Sequence, residues 1–153
     1  MQKEQQEKVI QTLAAYNGNK AKLKILNKEL SNLDKMMNAN MAIRYGDEYA
    51  PKERRQQSVV ERDIVSIEEK RGLIQREIVR LTGEVERIDM MLENVPERLR
   101  VILKTKYIEQ QTWVAVSMQL SYSPEYIRKD LKDKALKMAC DYLFSMEDGG
   151  GAY

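Results

Sequence analysis

The 153-residue sequence contains no histidine and a single cysteine, Cys140. The absence of histidine removes the usual general base, the partner of serine and cysteine nucleophiles, and the commonest zinc ligand. One cysteine cannot form a disulfide within the chain, and we expect Cys140 to be a small buried residue near a helix end. Neither a glycine-rich phosphate-binding motif nor an EF-hand loop is present. We therefore predict that the protein is not an enzyme and has no catalytic residues, metal ligands or cofactors.

Long apolar runs and aromatic residues are also scarce. No stretch approaches the roughly 18 apolar residues of a membrane-spanning helix, and the opening MQKEQQEKV lacks the apolar segment of a secretory signal. We expect a cytoplasmic protein without membrane contact. Aromatic residues make up 7% of the chain and charged residues 33%, which favours solvated helices over sheets. Because the net charge is only +2, any DNA binding requires a local basic patch.

The first half of the chain carries an apolar stripe with helical spacing. Its members recur at alternating steps of three and four residues, which places them on one helix face: Leu23, Leu26, Leu30, Leu33 and Met37. Asn17, Gly18 and Asn19 predict a kink or cap upstream, which leaves open whether one bent helix or two precede the loop. Residues 44–57 lose the period and are predicted to form a basic, solvated loop at the turn of a helical hairpin.

A second, more regular seam of aliphatic residues follows this loop. Steps of four and three connect Val60, Ile64, Ile67, Arg71, Ile74, Ile78, Leu81, Val85, Ile88 and Leu92. Burial of each aliphatic side chain is worth about 1.5–3 kcal/mol, so the seam needs a partner. That partner is either the first helix, antiparallel, or the same helix of a second chain. For a homo-oligomer, the predicted contact residues are Ile64, Ile67, Arg71, Ile74, Ile78, Leu81 and Val85.

Arg71 is the one residue of the seam that is not aliphatic. It either sets the register or the oligomer number, as buried polar residues can, or extends its charge to the edge on its long stem. The spacing leaves both interpretations open.

Pro96 marks a boundary after the seam. Proline disfavours a helical residue before it and suits the first turn of a new helix, which Asn94 can cap. The predicted organisation is a coiled-coil stalk over residues 1–93, a domain over residues 94–144 and a flexible tail over residues 145–153. The fold class is all-α: a long coiled-coil helical hairpin followed by a three-helix domain.

The domain is predicted to contain helices at about 96–107, 113–120 and 123–143. Thr112 and Ser123 suit N-cap positions. Two short helices joined by a tight turn, the second beginning with a cap, are typical of a helix-turn-helix, whose second helix enters the DNA major groove.

The DNA-facing side chains follow from the helix period. If Ile127 and Leu131 face the core, Glu125, Lys129 and Lys132 point outward, and Tyr126 and Arg128 lie on the flanks. A helix N-terminus suits a phosphate, arginine or lysine can donate to guanine, and glutamate can accept from cytosine. The predicted DNA-binding residues are Ser123, Glu125, Tyr126, Arg128, Lys129 and Lys132.

The charge available for this binding is modest. Residues 93–140 hold nine Lys or Arg against six Asp or Glu, a net charge of +3. We expect a monomer to bind weakly and with strong salt dependence, and useful affinity to need a dimer or a second protein.

The run LKTKYIEQQTWVAVSMQLSYSPEYIRKDLKDKAL resembles phage transcription regulators of the RinA and ArpU type. It is also similar to the promoter-reading C-terminal domain of bacterial sigma factors. The elements that carry the resemblance are Tyr107-Ile108, Thr112-Trp113, Val116, Leu120, Tyr122-Ser123 and Ala135-Leu136, with Leu13 and Tyr16 upstream. The resemblance implies a phage or prophage activator of late genes that acts in the bacterial host cell. It also implies binding to double-stranded promoter DNA and contact with host RNA polymerase.

Two departures from that pattern stand out. Val114-Ala115 replaces a pair of acids that is frequent in the relatives, and the distance from Ile127 to Ala135-Leu136 is one residue longer. Two alternatives remain beside the DNA-binding regulator. One is a coiled-coil protein that binds a host polymerase or defence component, and the other is a small DNA-packaging subunit that forms a ring.

Overall fold

The computed structural model describes residues 3–46 and 53–149, with side chains at 3–42 and 61–144. Every regular element within these ranges is helical, which confirms the predicted all-α class. The helices are α1 (Lys3–Ala14), α2 (Tyr16–Gly46), α3 (Glu53–Asn94), α4 (Glu97–Ile102), π1 (Leu103–Ile108), α5 (Trp113–Leu120), α6 (Pro124–Tyr126), π2 (Ile127–Leu131) and α7 (Lys132–Gly149). Among the described residues, no helix has both the length and the apolar composition that crossing a bilayer requires.

The loop predicted over residues 44–57 is wrong at both of its ends. Helix α2 continues to Gly46 and α3 begins at Glu53, so both helices extend into the predicted loop. Residues 47–52 lie outside the described residues, as do the basic side chains predicted for this segment. Helix propensity in the run ERRQQ, residues 53–57, thus outweighs the loss of the apolar period.

The break between the first two helices lies at Ala15. The prediction placed a kink or cap at Asn17, Gly18 and Asn19, but these residues are helical. The Asn17 Nδ2 donates to the carbonyl of Ile108 at 3.3 Å, and the Asn19 Nδ2 donates to Glu84 Oε2 at 3.2 Å. The asparagines therefore form tertiary hydrogen bonds, which local propensity does not reveal.

The chain forms two compact units, Ala21–Thr82 and the combination of Met1–Lys20 with Gly83–Tyr153. The predicted organisation follows chain order, with a division after residue 93, whereas the larger unit joins segments that are distant in sequence. We call Ala21–Thr82 the hairpin unit and the other the composite unit.

The hairpin unit contains parts of α2 and α3 in antiparallel contact. Met37 packs with Ile64 and Ile67, and the Asp34 carboxylate lies 2.8 Å from the Arg71 Nε. The Arg71 side chain is 34% exposed, although its Nε atom is itself buried. Its Nε contacts Asp34 as an ion pair without the alignment of a hydrogen bond. In this unit, α2 therefore packs against the aliphatic seam of α3. The predicted contacts of that seam with a second chain stay a prediction.

The composite unit has one hydrophobic core. Side chains from α1, the end of α3, α4, α5, α7 and both π segments contribute to it: Val9, Leu13, Ile88, Met91, Val95, Leu99, Ile102, Leu103, Tyr107, Ile108, Val116, Ile127, Leu131, Ala135, Leu136, Ala139, Cys140 and Leu143. The predicted burial of Cys140 is confirmed. Because the core is continuous, α1 and the end of α3 hold the C-terminal helices in place.

Candidate nucleic-acid interface

Helix α4 is fixed to the end of α3 by Arg100. Its guanidinium donates to the carbonyls of Leu92 at 2.6 Å and Val95 at 3.1 Å. The last carbonyls of a helix have no intrahelical partner, and a cation near them is also favoured by the helix dipole. Asn94 was predicted to cap α4, but the N-cap position belongs to Pro96, and the Asn94 Nδ2 donates back to the carbonyl of Met90.

Helix α5 has the bounds and the cap that the sequence predicts. The Thr112 hydroxyl accepts from the Ala115 amide at 3.2 Å, and Val116 is fully buried. The helix ends at Ser121, which adopts a left-handed conformation with φ of 60°. Such a residue terminates a helix because it turns the chain away from the helix axis.

An aromatic contact anchors the start of α5. The Trp113 ring meets the Tyr107 ring edge to face, with 6.2 Å between centroids, and the Lys106 Nζ lies 5.0 Å above the Trp113 ring. Burial, and to a smaller extent the charge of Asp133, raise the pKa of Tyr107 to about 12. The Tyr107 hydroxyl has no hydrogen-bond partner within the described part of the chain. Tyr107 is therefore a neutral core residue at ordinary pH.

A short turn joins α5 to the next helix. The Ser117 hydroxyl donates to the Tyr122 carbonyl at 2.6 Å. The Ser123 hydroxyl accepts from the Tyr126 amide at 3.2 Å, and Pro124 occupies the first turn of α6. The cap predicted at Ser123 is confirmed. A serine cap followed by proline favours a helix start at this point, because proline needs no donor there and its φ is already helical.

The segments α6, π2 and α7 continue one another from residue 124 to 149, with a single wider turn at π2. Residues on the buried side recur at steps of four: Ile127, Leu131, Ala135, Ala139 and Leu143. An α-helix has 3.6 residues per turn, so steps of four would drift around its surface. A π turn spans more residues than an α turn and offsets part of the drift.

The structure places the predicted DNA-binding side chains along the start of this helix. Glu125, Arg128 and Lys129 are exposed, as is Ser123. Tyr126 is 41% exposed and meets Tyr122 edge to face, with 5.5 Å between the ring centroids. Ile127 and Leu131 are fully buried, as predicted, and they orient the remaining side chains toward solvent.

Lys132 differs from the other predicted residues. It was expected to point outward, but it is half-buried. The wider turn at π2 rotates the residues that follow it relative to a regular α-helix, so a projection with 3.6 residues per turn misplaces residue 132. The aliphatic part of a lysine stem can nevertheless lie along an apolar surface while its charge reaches solvent.

The charges of the site are partly engaged within the chain. The Lys129 Nζ lies 2.8 Å from Glu125 Oε1, and both side chains are about two-thirds exposed. Arg100 is committed to the end of α3.

Sequence reasoning missed two contacts near the site. They are the hydrogen bonds of Arg100 to the carbonyls at the end of α3 and the ring contact between Tyr122 and Tyr126. Neither Arg100 nor Tyr122 belongs to a periodic pattern that could have revealed its contact. Among the side chains that the structure describes, at residues 3–42 and 61–144, no group of three cysteine, aspartate or glutamate residues is arranged to hold a metal ion.

Comparison with known proteins identifies a family. Residues 5–139 match the family described as "Protein of unknown function (DUF722)". No curated protein and no solved structure matches the chain. Because the match covers most of the sequence, from residue 5 in α1 to residue 139 in the first half of α7, the chain belongs to the DUF722 family of proteins of unknown function.

Proposed function

We propose that the protein is a DNA-binding transcription regulator of the phage or prophage type, an activator of late genes, with a helix-turn-helix in its C-terminal domain. The observation that supports it most is the sequence of α5, a tight turn and a serine-capped helix whose early side chains are exposed. In a helix-turn-helix, the second helix lies in the major groove and its N-terminal residues contact base edges.

Each exposed side chain at this helix start has a role that suits DNA. The Ser123 hydroxyl and the amides of the first turn suit a backbone phosphate. Arg128 and Lys129 can donate to guanine or to phosphates. The burial of Ile127 and Leu131 supports this assignment, because it fixes the rotation of the helix.

Useful affinity requires more than one such helix. A net charge of +3 over residues 93–140 gives few phosphate contacts, and a dimer doubles them. In the proposed assembly, chains associate through the half-buried seam positions Ile74 and Ile78 of α3. The regulator also contacts host RNA polymerase.

A gel shift against DNA flanking the gene, at several salt concentrations, tests the proposal. We expect the triple substitution Arg128→Ala, Lys129→Ala and Lys132→Ala to abolish the shift at physiological salt. A base-contacting arginine contributes about 1–3 kcal/mol, and phosphate-contacting lysines weaken binding to all sequences.

A matched control removes three exposed lysines from the hairpin unit, with Lys24→Ala, Lys28→Ala and Lys35→Ala. The control loses the same charge and is expected to retain the shift. Circular dichroism verifies that both variants keep their helices. If the first variant binds as the wild type does, the assignment of the DNA-contacting helix is wrong.

One observation favours a second candidate, a coiled-coil protein whose C-terminal helices bind another protein. Val114 is 59% exposed and Met118 is 79% exposed, and both lie opposite the buried Val116 on α5. Residues 110–124 carry no charge, and a lack of charge together with exposed methionine and aromatic side chains is typical of protein interfaces. For this candidate, no shift is expected at any salt concentration.

A further inference from the structure

The proposed DNA-reading helix begins with an acid among its cations. Glu125 follows Pro124 in the first turn, and its carboxylate pairs with Lys129 at 2.8 Å. A carboxylate in this turn is compatible with the helix dipole. Beside DNA, however, it faces phosphates of like charge.

The ion pair gives this turn little rigidity. Both side chains are about two-thirds exposed, and exposed pairs of this kind change an equilibrium by roughly fivefold or less. The pair can therefore open at little cost when DNA approaches. Once it opens, Lys129 is free to contact DNA, and the Glu125 carboxylate needs a donor of its own.

Major-groove chemistry limits which base can supply that donor. Cytosine presents its N4 amino group without a neighbouring acceptor on the same base, whereas adenine presents its N6 amino group beside the N7 acceptor. A carboxylate accepts from cytosine without facing a second lone pair. Guanine and thymine present acceptors to it, which leaves the carboxylate unpaired in the interface.

We propose that Glu125 is a specificity-determining residue: it accepts a hydrogen bond from the N4 amino group of a cytosine and weakens binding to duplexes that lack this base. The proposal rests on the proposed function, since it requires this helix to enter the major groove. In this role, the Glu125 carboxylate repels bases that offer it no hydrogen-bond donor. Specificity commonly depends on such repulsive groups as well as on attractive contacts.

Selection from a library of random duplexes, carried out with the wild type, Glu125→Gln and Glu125→Ala, tests the proposal. We expect the wild type to enrich a motif with cytosine at one position. Glu125→Gln should change that preference to adenine, because glutamine pairs with adenine N6 and N7. Glu125→Ala should show no preference there, with a loss of about tenfold in discrimination.

Binding to one fixed, unselected duplex gives a second readout. Removal of the negative charge is expected to raise the affinity of Glu125→Gln about fivefold at low salt. Glu29→Gln is the matched control, because it removes an exposed carboxylate from the hairpin unit and is expected to change neither the motif nor the affinity.

The outcomes separate this inference from the proposed function. If the wild type does not bind DNA at any salt concentration, the proposed function fails. If it binds, but enriches no motif or keeps the same motif after Glu125→Gln, only the role of Glu125 is overturned. An equal gain in affinity for Glu29→Gln would assign the effect to net charge and would also overturn that role.

Discussion

In the composite unit, side chains from many helical segments meet in one core, whereas the hairpin unit consists of two antiparallel helices in contact along one seam. Buried residues in the first are surrounded on all sides. In the second, Ile64, Ile67 and Met37 form a small cluster, and the seam residues Ile74 and Ile78 are only half-buried. The difference shows that a regular heptad spacing does not by itself produce a large core, because two helices shield each other on one face only.

The composite unit and the hairpin unit also have different tasks. The composite unit fixes the orientation of the helix proposed to read DNA, since α1, the end of α3 and α7 all pack into its core. The hairpin unit displays exposed charge along its helices and leaves half-buried aliphatic positions that a second chain can cover. Positioning thus depends on the first unit, and the proposed association of chains depends on the second.

The largest difference between the units is expected from core truncations. Leu103 is fully buried in the composite unit, so Leu103→Ala should reduce the free energy of unfolding by about 3–5 kcal/mol. Ile67→Ala should cost about 2 kcal/mol, because the small hairpin cluster can relax or admit water. Urea unfolding followed by circular dichroism measures both.

The exposed Leu73 supplies the control for these truncations. Leu73→Ala removes the same atoms as Leu103→Ala from a side chain that is mostly in solvent, and we expect a change within about 0.5 kcal/mol. Equal losses for Leu103→Ala and Ile67→Ala would contradict the distinction between the two units.

A smaller effect is expected from Tyr16→Phe in the composite unit. The Tyr16 hydroxyl donates to Asp89 Oδ1 at 2.5 Å, and loss of this hydrogen bond should cost about 1 kcal/mol near neutral pH. Burial, followed by the hydrogen bond to Asp89, raises the pKa of Tyr16 from 10.0 to about 12. A raised pKa in the folded state gives stability that is present below pH 10 and lost as the pH rises toward 12.

Urea unfolding near neutral pH and between pH 10 and 12 measures this dependence. Wild type should lose stability over that window, and Tyr16→Phe should lose less of it. Tyr107 also contributes to the loss of stability with rising pH, and it does so in both proteins, because its pKa is also raised. Parallel pH curves for the two proteins would show that Tyr16 is not the group responsible.

The smallest effect is expected at the Asp34–Arg71 pair of the hairpin unit. Asp34→Ala should reduce the free energy of unfolding by about 0.2–1 kcal/mol, because both side chains are partly exposed. Thermal melts at low and high salt provide the measurement, with the difference from wild type shrinking as salt rises. A loss of several kcal/mol would show instead that Arg71 is a buried seam residue that depends on its partner.

Local sequence signals predicted much of the C-terminal region. The bounds of α5, the caps at Thr112 and Ser123, and the burial of Ile127 all follow from residues close in sequence. The half-burial of Lys132 was not predicted, because it depends on the wider turn at π2. That turn lies in a continuous helix whose amino acids favour an ordinary α-helix, and the packing of both flanks selects it.

The sequence by itself determined the helical class, the aliphatic seam of α3, and the helix starts at residues 113 and 124, because side-chain period and capping act within a few residues. Only the tertiary structure decided that Asn17 and Asn19 form long-range hydrogen bonds, that Arg100 binds the end of α3, and that α1 shares a core with α7. These contacts join groups that local propensity cannot relate, and their geometry exists only once the core has formed.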